Sequence, residues 1–92
     1  MAAARIVLLP RAERELAALP DAARERVIAA VEMLADFPHL GIAMVGPFHG
    51  YRCLYADASR YRVIYKTPAQ NRVEIAWLRH VKRGPAPRPS KG

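Results

Sequence analysis

The apolar positions near the start of the chain predict a short strand followed by a helix. Residues 6–9 form an unbroken apolar run, which is typical of a buried strand. Pro10 suits the first position of a helix, because the N–H that proline lacks would have no partner there. In residues 11–19 the apolar side chains recur at helical spacing and share one face: Ala12, Leu16 and Leu19.

A second helix is predicted over residues 22–36. Pro20 breaks the first helix, and Asp21 is expected to act as the N-cap of the next. The apolar stripe of this helix consists of Val27, Ala30, Val31 and Leu34. Phe37 precedes a proline and is therefore pushed out of the helical conformation, which ends the helix. The two helices are expected to pack as an antiparallel hairpin.

Beyond residue 50 the apolar pattern changes to the period of a strand. Residues 39–50 contain three glycines and a proline without sustained periodicity and are predicted to be a loop. Residues 51–56, 60–66 and 73–80 are strand-like, with turns at 57–59 and 68–71. They predict an α+β fold of order β-α-α-β-β-β, with the helical hairpin on one face of a small, mainly antiparallel sheet. The pairing of the first strand is left open. The expected core residues are Leu16, Leu19, Val27, Val31, Leu34, Val63 and Ile75.

The length of 92 residues predicts one domain, over residues 1–83, followed by a flexible tail at 84–92 that contains three prolines. Cys53 is the single cysteine, so no intramolecular disulfide is possible, and a buried apolar role is expected for it. A lone thiol fits a reducing compartment, and the first apolar run is too short for a signal peptide or a membrane span. A cytoplasmic location is therefore expected.

The positive charge of the chain is concentrated in its second half. The net charge is +7; residues 1–50 carry five basic and six acidic side chains, whereas residues 51–92 carry ten and two. This asymmetry suggests a polyanionic partner, namely RNA, DNA or an acidic protein. The alternative is a solvated, arginine-rich surface, and composition favours neither interpretation.

One predicted strand carries a candidate anion site. Alternation in residues 60–66 places Tyr61, Val63 and Tyr65 on one face, and Arg60, Arg62, Ile64 and Lys66 on the other. Neighbouring cations repel each other unless an anion lies across them, and guanidinium groups bind phosphate bidentately. Because Arg62 lies in the middle of an apolar strand, a functional role is favoured for it. Arg60 is interpreted as an ordinary exposed edge residue.

A second basic cluster follows the last predicted strand, at residues 79–83. His80 is the one side chain of this cluster able to exchange a proton readily near neutral pH, although a lone histidine is more often structural. His39 and His49 have no ligand-like spacing with His80, so neither a metal site nor a cofactor is predicted. Trp77 alternates with Val73 and Ile75 and is expected in the core.

These segments together resemble the RelE/ParE toxins. The resemblance rests on the element order, on Arg11 to Leu16 followed by Leu19-Pro20, on the strand from Tyr61 to Tyr65, and on a last strand ending at His80 before Lys82-Arg83. It covers about residues 5–83. It implies a toxin that a co-expressed antitoxin holds inactive and that needs no metal or cofactor. RelE-like members cleave mRNA in the ribosomal A site.

The resemblance also implies site residues. Arg62 matches the family arginine of its strand, and His80 with Lys82 or Arg83 lies where the family places its second basic group. The expected catalytic residues are Arg62 and His80, and the expected RNA-binding residues are Arg52, Lys66, Arg79, Lys82 and Arg83.

Two departures keep other functions open. Well-studied RelE-like nucleases have lysines on the strand where this chain has only Arg52, and a tyrosine near the C-terminus, whereas no tyrosine follows Tyr65 here. If this chain is a nuclease, its proton transfer is therefore expected to depend on His80, with Tyr55 as a further candidate. The alternatives are a ParE-like toxin directed against DNA gyrase and a non-catalytic module that binds RNA or a partner.

The expected protein partner is an antitoxin encoded by an adjacent gene. A face bearing Arg62, Lys66, Arg79 and Lys82 suits an acidic, partly disordered chain that folds on binding. Such a chain would lay a helix over the helical hairpin, add a strand to the sheet edge, or displace the tail at 84–92. The ribosome with its mRNA is the expected target, and no membrane partner is expected.

Overall fold

A computed structural model of the chain describes residues 3–83, so the tail expected at residues 84–92 lies outside the described residues. Within that range the sheet contains β1 (Arg5–Leu8), β2 (Ile42–Ala43), β3 (Arg52–Ala56), β4 (Tyr61–Ala69) and β5 (Arg72–His80). The two α-helices are α1 (Pro10–Ala17) and α2 (Asp21–Glu32). The predicted α+β fold, a helical hairpin packed on a largely antiparallel sheet, is confirmed.

The sheet has the strand order β1-β5-β4-β3-β2, in which β1 runs parallel to β5 and the other pairs are antiparallel. The first strand thus pairs with the last one, and this long-range choice was not accessible from the sequence. Strand β2 lies inside the predicted loop and pairs with β3 through Ile42 and Ala43. Two residues are too few to give a detectable period, so the loop prediction was wrong at this point.

The core lies between the helical hairpin and one face of the sheet. Of the seven predicted core residues, Val27, Val31, Leu34, Val63 and Ile75 are buried. Leu16 and Leu19 are only half-buried and pack against the rim of the core. Leu16 lies in the last turn of α1, which ends at Ala17, and Leu19 lies beyond that end, so both are at the edge of the helical hairpin.

The turn between the helices is stabilised by an arginine rather than by the predicted cap. Pro20 occupies the N-cap position of α2, and Asp21 is its first helical residue, so the N-cap prediction for Asp21 was wrong. Instead, Arg24 donates to the Asp21 carboxylate at 3.1 Å and to the Leu19 carbonyl at 2.8 Å. The guanidinium therefore ties the first turn of α2 to the backbone of the turn that follows α1.

Helix α1 also substitutes for a strand at the outer edge of β5. Strand β1 ends opposite Ile75, so the N–H of Leu78 lies beyond its reach. The Glu15 carboxylate accepts a hydrogen bond from that N–H at 3.0 Å. Arg11 lies 3.6 Å from Glu15 and 5.7 Å from the centroid of the Trp77 ring. Glu15 of α1 thus supplies the hydrogen-bond acceptor for β5 that a longer neighbouring strand would otherwise provide.

A bulge at Ala76 decides which way the end of β5 faces. Ile64 pairs with Trp77, but the next residue, Tyr65, pairs with Ile75, so Ala76 is an extra residue. Past the bulge, Leu78 and His80 lie on the helix side of the sheet, and Trp77 and Arg79 lie on the other side. The prediction of Trp77 in the core was therefore wrong: it is half-buried on the face opposite the helices.

Tyr65 links the centre of the sheet to the segment that precedes β2. Its side chain is fully buried, and its hydroxyl accepts a hydrogen bond from the Gly41 N–H at 2.8 Å. A Cβ at position 41 would lie 2.8 Å from both Cε1 and Oη of Tyr65, which is closer than side chains tolerate. Only glycine therefore allows this approach.

We expect Tyr65→Phe to lower the free energy of unfolding by about 1–3 kcal/mol, because it leaves the buried Gly41 N–H without an acceptor. The measurement is urea denaturation at neutral pH. Tyr51→Phe is the matched control, since its hydroxyl is not hydrogen-bonded among the described residues, and it should change stability by less than about 0.5 kcal/mol. Equal effects of the two substitutions would contradict the proposed role of this hydrogen bond.

Candidate functional site

Two arginines lie opposite each other on the sheet face away from the helices. This open face carries Cys53, Tyr55, Arg62, Ile64, Trp77 and Arg79, and Arg62 of β4 is the register partner of Arg79 of β5. Both side chains are half-buried. The Nε atom of Arg79 is buried and has no hydrogen-bond partner among residues 3–83. Like charges directly opposite each other across a strand pair are unfavourable, and an anion between them would relieve that cost.

The neighbouring strand adds a tyrosine and a thiol to this end of the open face. Tyr55 of β3 is the register partner of Arg62 and is 45% exposed, whereas Cys53 is buried. Burial raises the pKa of the Cys53 thiol, and the Arg62 charge and a hydrogen bond from Tyr55 offset part of that rise. The electrostatic effect of Arg62 therefore reaches across the strand pair.

An aromatic cluster occupies the other end of the open face. The Trp77 ring centroid lies 5.9 Å from that of Phe48 and 5.6 Å from that of Tyr51. Lys66 lies 5.7 Å from the Tyr51 centroid, and its Nζ atom is 3.8 Å from the Glu74 carboxylate. The lysine of this strand thus has both an acidic and an aromatic neighbour.

The turn between β3 and β4 gives Arg60 an acidic partner as well. Asp57 lies 3.6 Å from Arg60 and 3.1 Å from Arg26 of α2, and its side chain is only 5% exposed. Residues 57–59 all have positive φ, a conformation that costs free energy for residues other than glycine, and these ion pairs hold it in place. Arg60 and Lys66 therefore each have an acidic neighbour. Arg60 takes part in holding this turn, whereas the sequence indicated only an ordinary exposed edge residue.

His80 lies on the opposite side of the sheet from Arg62. It is the register partner of Tyr61, and the two rings meet edge to face at 5.1 Å. Its Nδ1 accepts a hydrogen bond from the Lys82 N–H at 3.1 Å, which leaves Nε2 to carry the proton of a neutral imidazole. The two expected catalytic residues are thus not brought together on one face, because the bulge at Ala76 reverses the alternation before His80.

A groove of about 400 Å³ holds both His80 and Arg79, but Arg62 is not part of its lining. It is lined by Leu19, Pro20, Tyr61, Arg79, His80 and Arg83. Arg79 is therefore shared between this groove and the open face. The sequence predicted a basic face that includes both Arg62 and Arg79, but not that the two are register partners, since this pairing depends on the bulge.

The other expected RNA-binding residues do not join the arginine pair. Arg52 donates to the carbonyls of Gly41, at 2.8 Å, and His39, at 3.3 Å, and therefore holds the loop before β2. Lys82 and Arg83 are exposed in a short 3-10 turn after β5. Among the described residues no cluster of three or more His, Cys, Asp or Glu side chains is placed to hold a metal ion. Neither α-helix between residues 3 and 83 is long and apolar enough to cross a membrane.

The chain matches a known family along most of its length. Residues 6–85 match the model of the ParE toxin of the type II toxin–antitoxin system parDE. No curated protein sequence matches the chain significantly.

Solved structures share the fold at low sequence identity. The chain is similar to the RelBE2 toxin–antitoxin complex of Mycobacterium tuberculosis, with a TM-score of 0.73 and 20% identity over 87% of this chain and 99% of that one. It is similar to a double mutant of the Escherichia coli toxin RelE in the free state (TM-score 0.71, 16% identity, 91% and 88% covered). It is also similar to the RelE–RelB complex of Pyrococcus horikoshii (TM-score 0.63, 22% identity, 91% and 99% covered).

The helical hairpin on a five-stranded mixed sheet is the fold of a small α+β toxin. The match over residues 6–85 is more specific: the chain belongs to the RelE/ParE family of toxins from type II toxin–antitoxin systems. The resemblance inferred from the sequence is therefore confirmed.

The raised pKa of Cys53 predicts slow alkylation of the native protein. We expect the rate of reaction with iodoacetamide to rise with pH through an inflection above about 8.5, the ordinary value for a thiol. Arg62→Leu should move this inflection higher, because the guanidinium charge that favours the thiolate is lost. Protein unfolded in guanidinium chloride is the control, and an inflection of the native protein at or below the unfolded one would contradict the prediction.

Proposed function

We propose that this toxin inhibits translation by binding mRNA and cleaving it without a metal ion, and that Arg62 and Arg79 form the phosphate-binding pair. The observation that supports it is the register pairing of these arginines on the open face, with Nε of Arg79 buried and lacking a partner among the described residues. Two guanidinium groups fixed by the sheet would stabilise the charge that develops on a phosphate when the adjacent 2′-hydroxyl attacks it.

The position of His80 sets a geometric condition on cleavage. Because Arg62 and His80 lie on opposite faces, RNA must pass over the end of the β4–β5 pair to meet both. Arg79 is suited to guide that path, since it is the partner of Arg62 and also lines the groove that holds His80. Proton transfer by His80 and phosphate binding by Arg62 then act on adjacent parts of one strand of RNA.

A gyrase-directed toxin is the second candidate function. The separation of Arg62 from His80 favours it, because a toxin that acts by binding a protein needs no nucleophile–base–cation constellation. The matched family model is that of a ParE toxin. In this case the basic open face would contact a protein or DNA surface.

Induced expression should arrest growth and stop protein synthesis, measured by pulse labelling, and Arg62→Ala should reduce mRNA cleavage on the order of 100-fold. Arg14→Ala is the matched control, because Arg14 is an exposed arginine on α1 and should leave toxicity unchanged. DNA breaks with continuing translation would replace the first candidate with the second. Expression without growth arrest would contradict both.

We also propose that an antitoxin encoded by an adjacent gene binds this chain. An apolar groove of about 430 Å³ lies between β1, whose outer edge pairs with no described strand, and the helical hairpin. Its lining includes Ile6, Leu8, Leu16, Ile28 and Val31. Apolar antitoxin residues would fill this groove, while acidic residues of the same chain would be drawn to the basic second half.

Co-expression with the neighbouring open reading frame should restore growth and yield a complex in pull-down experiments. Ile28→Asp, in the groove, is expected to weaken the complex at least about tenfold, because it places a charge against apolar partner residues. Ile42→Asp, at the far edge of the sheet, is the control and should retain the complex. Complexes of equal strength with both variants would show that the groove is not the antitoxin site.

A further inference from the structure

A shallow slot borders Arg62 on the side away from Arg79. It lies between the segment that contains β2 and the open face of β3, and its volume is about 330 Å³. Its lining includes Ile42, Met44, Val45, Cys53, Tyr55 and Arg62. The slot therefore combines apolar, aromatic and sulfur-bearing surface with one cation at its edge.

The apolar side chains of this slot are unusually exposed for a folded domain. Val45 is 82% exposed and Ile42 67%, and Tyr55 is 45% exposed beside them. Apolar groups scattered singly over a surface need no explanation, but here three of them surround a depression that ends at a guanidinium group. Such a surface matches a ligand with one flat apolar part and one anionic part.

The exposure and position of Tyr55 suit its ring for stacking. The side chain is 45% exposed, lines the slot, and belongs to the residue that is the register partner of Arg62. An exposed aromatic ring beside a cation offers a platform on which a nucleobase can stack.

We propose that this slot binds one nucleobase of single-stranded RNA, stacked on Tyr55 and enclosed by Ile42 and Val45. The phosphate attached to that nucleotide lies at Arg62 and Arg79. The proposal rests on the proposed function, and it adds to it a base-binding subsite whose lining, outside the arginine pair, would set sequence preference. A nucleotide satisfies both halves of the surface, since the base covers the apolar groups and the phosphate accepts hydrogen bonds from guanidinium groups.

Equilibrium binding to short, uncleavable RNA tests the proposal. The probes are fluorescently labelled 2′-O-methyl oligonucleotides with all bases present, or with a single abasic residue at each position in turn, and the readout is fluorescence anisotropy. For the wild-type chain, one abasic position should weaken binding about tenfold, as expected for the loss of one stacked base. Tyr55→Ala should weaken binding of the intact RNA by the same factor and abolish the sensitivity to that position.

Further variants distinguish the contribution of the Tyr55 ring to RNA binding from that of its hydroxyl and from effects of removing any exposed ring. Tyr55→Phe should restore the sensitivity, because the ring that stacks is retained. Ile42→Ser and Val45→Ser should weaken binding of intact RNA more than of the abasic RNA. Phe37→Ala, which removes a ring that is 60% exposed but lies outside the slot, is the control and should behave as the wild type. Circular dichroism establishes that each variant is folded.

The outcomes distinguish the slot from the proposed function. If the wild-type chain does not bind these oligonucleotides, the slot is overturned, whereas the proposed function is judged separately by mRNA cleavage in cells that express the chain and its Arg62→Ala variant. If the chain binds RNA in an Arg62-dependent manner but no abasic position matters, only the slot is overturned. It is also overturned if Tyr55→Ala leaves RNA binding intact and instead weakens the complex with the antitoxin, because the surface is then a protein-docking site.

Discussion

The register between β4 and β5 determines which side chains share the open face of the sheet. One extra residue, Ala76, reverses the alternation of β5, and every side chain beyond it changes face. The bulge brings Arg79 opposite Arg62, moves Trp77 out of the core, and places His80 against Tyr61 on the helix side. Without it, His80 and not Arg79 would share a face with Arg62. The candidate site is therefore a property of strand pairing as much as of residue type.

The helical hairpin covers one face of the sheet and thereby leaves the other available for function. Its attachment depends on polar contacts as well as on the core: Glu15 completes the edge of β5, and Arg24 closes the turn between the helices. These contacts use charged side chains for structure. The same holds for Arg26 and Arg60 at Asp57 and for Arg52 at the loop carbonyls. The net charge of the chain is consequently larger than the charge left for binding a partner, and we propose that such binding centres on the Arg62–Arg79 pair.

Membership of the RelE/ParE family and the geometry of the open face answer different questions. The family match assigns a toxin of a type II system, and the solved structures, at 16–22% identity, show that the fold is shared. The target depends on which side chains the sheet presents together. Here these are an arginine pair, an exposed tyrosine and an exposed apolar edge at β2. The proposal of a nucleotide ligand is based on this combination.

The sequence by itself determined the helices, the three longer C-terminal strands and most of the core, because these depend on local periodicity and on side-chain type. It did not determine the parallel pairing of β1 with β5, the two-residue strand β2, or the bulge. Residues 75–78 are a continuous apolar run, so alternation cannot reveal where the phase of the strand changes. Tertiary packing decided where the alternation changes, because Ile75 and Leu78 both enter the core although they are three residues apart. The same packing thereby decided that Arg79 is the register partner of Arg62.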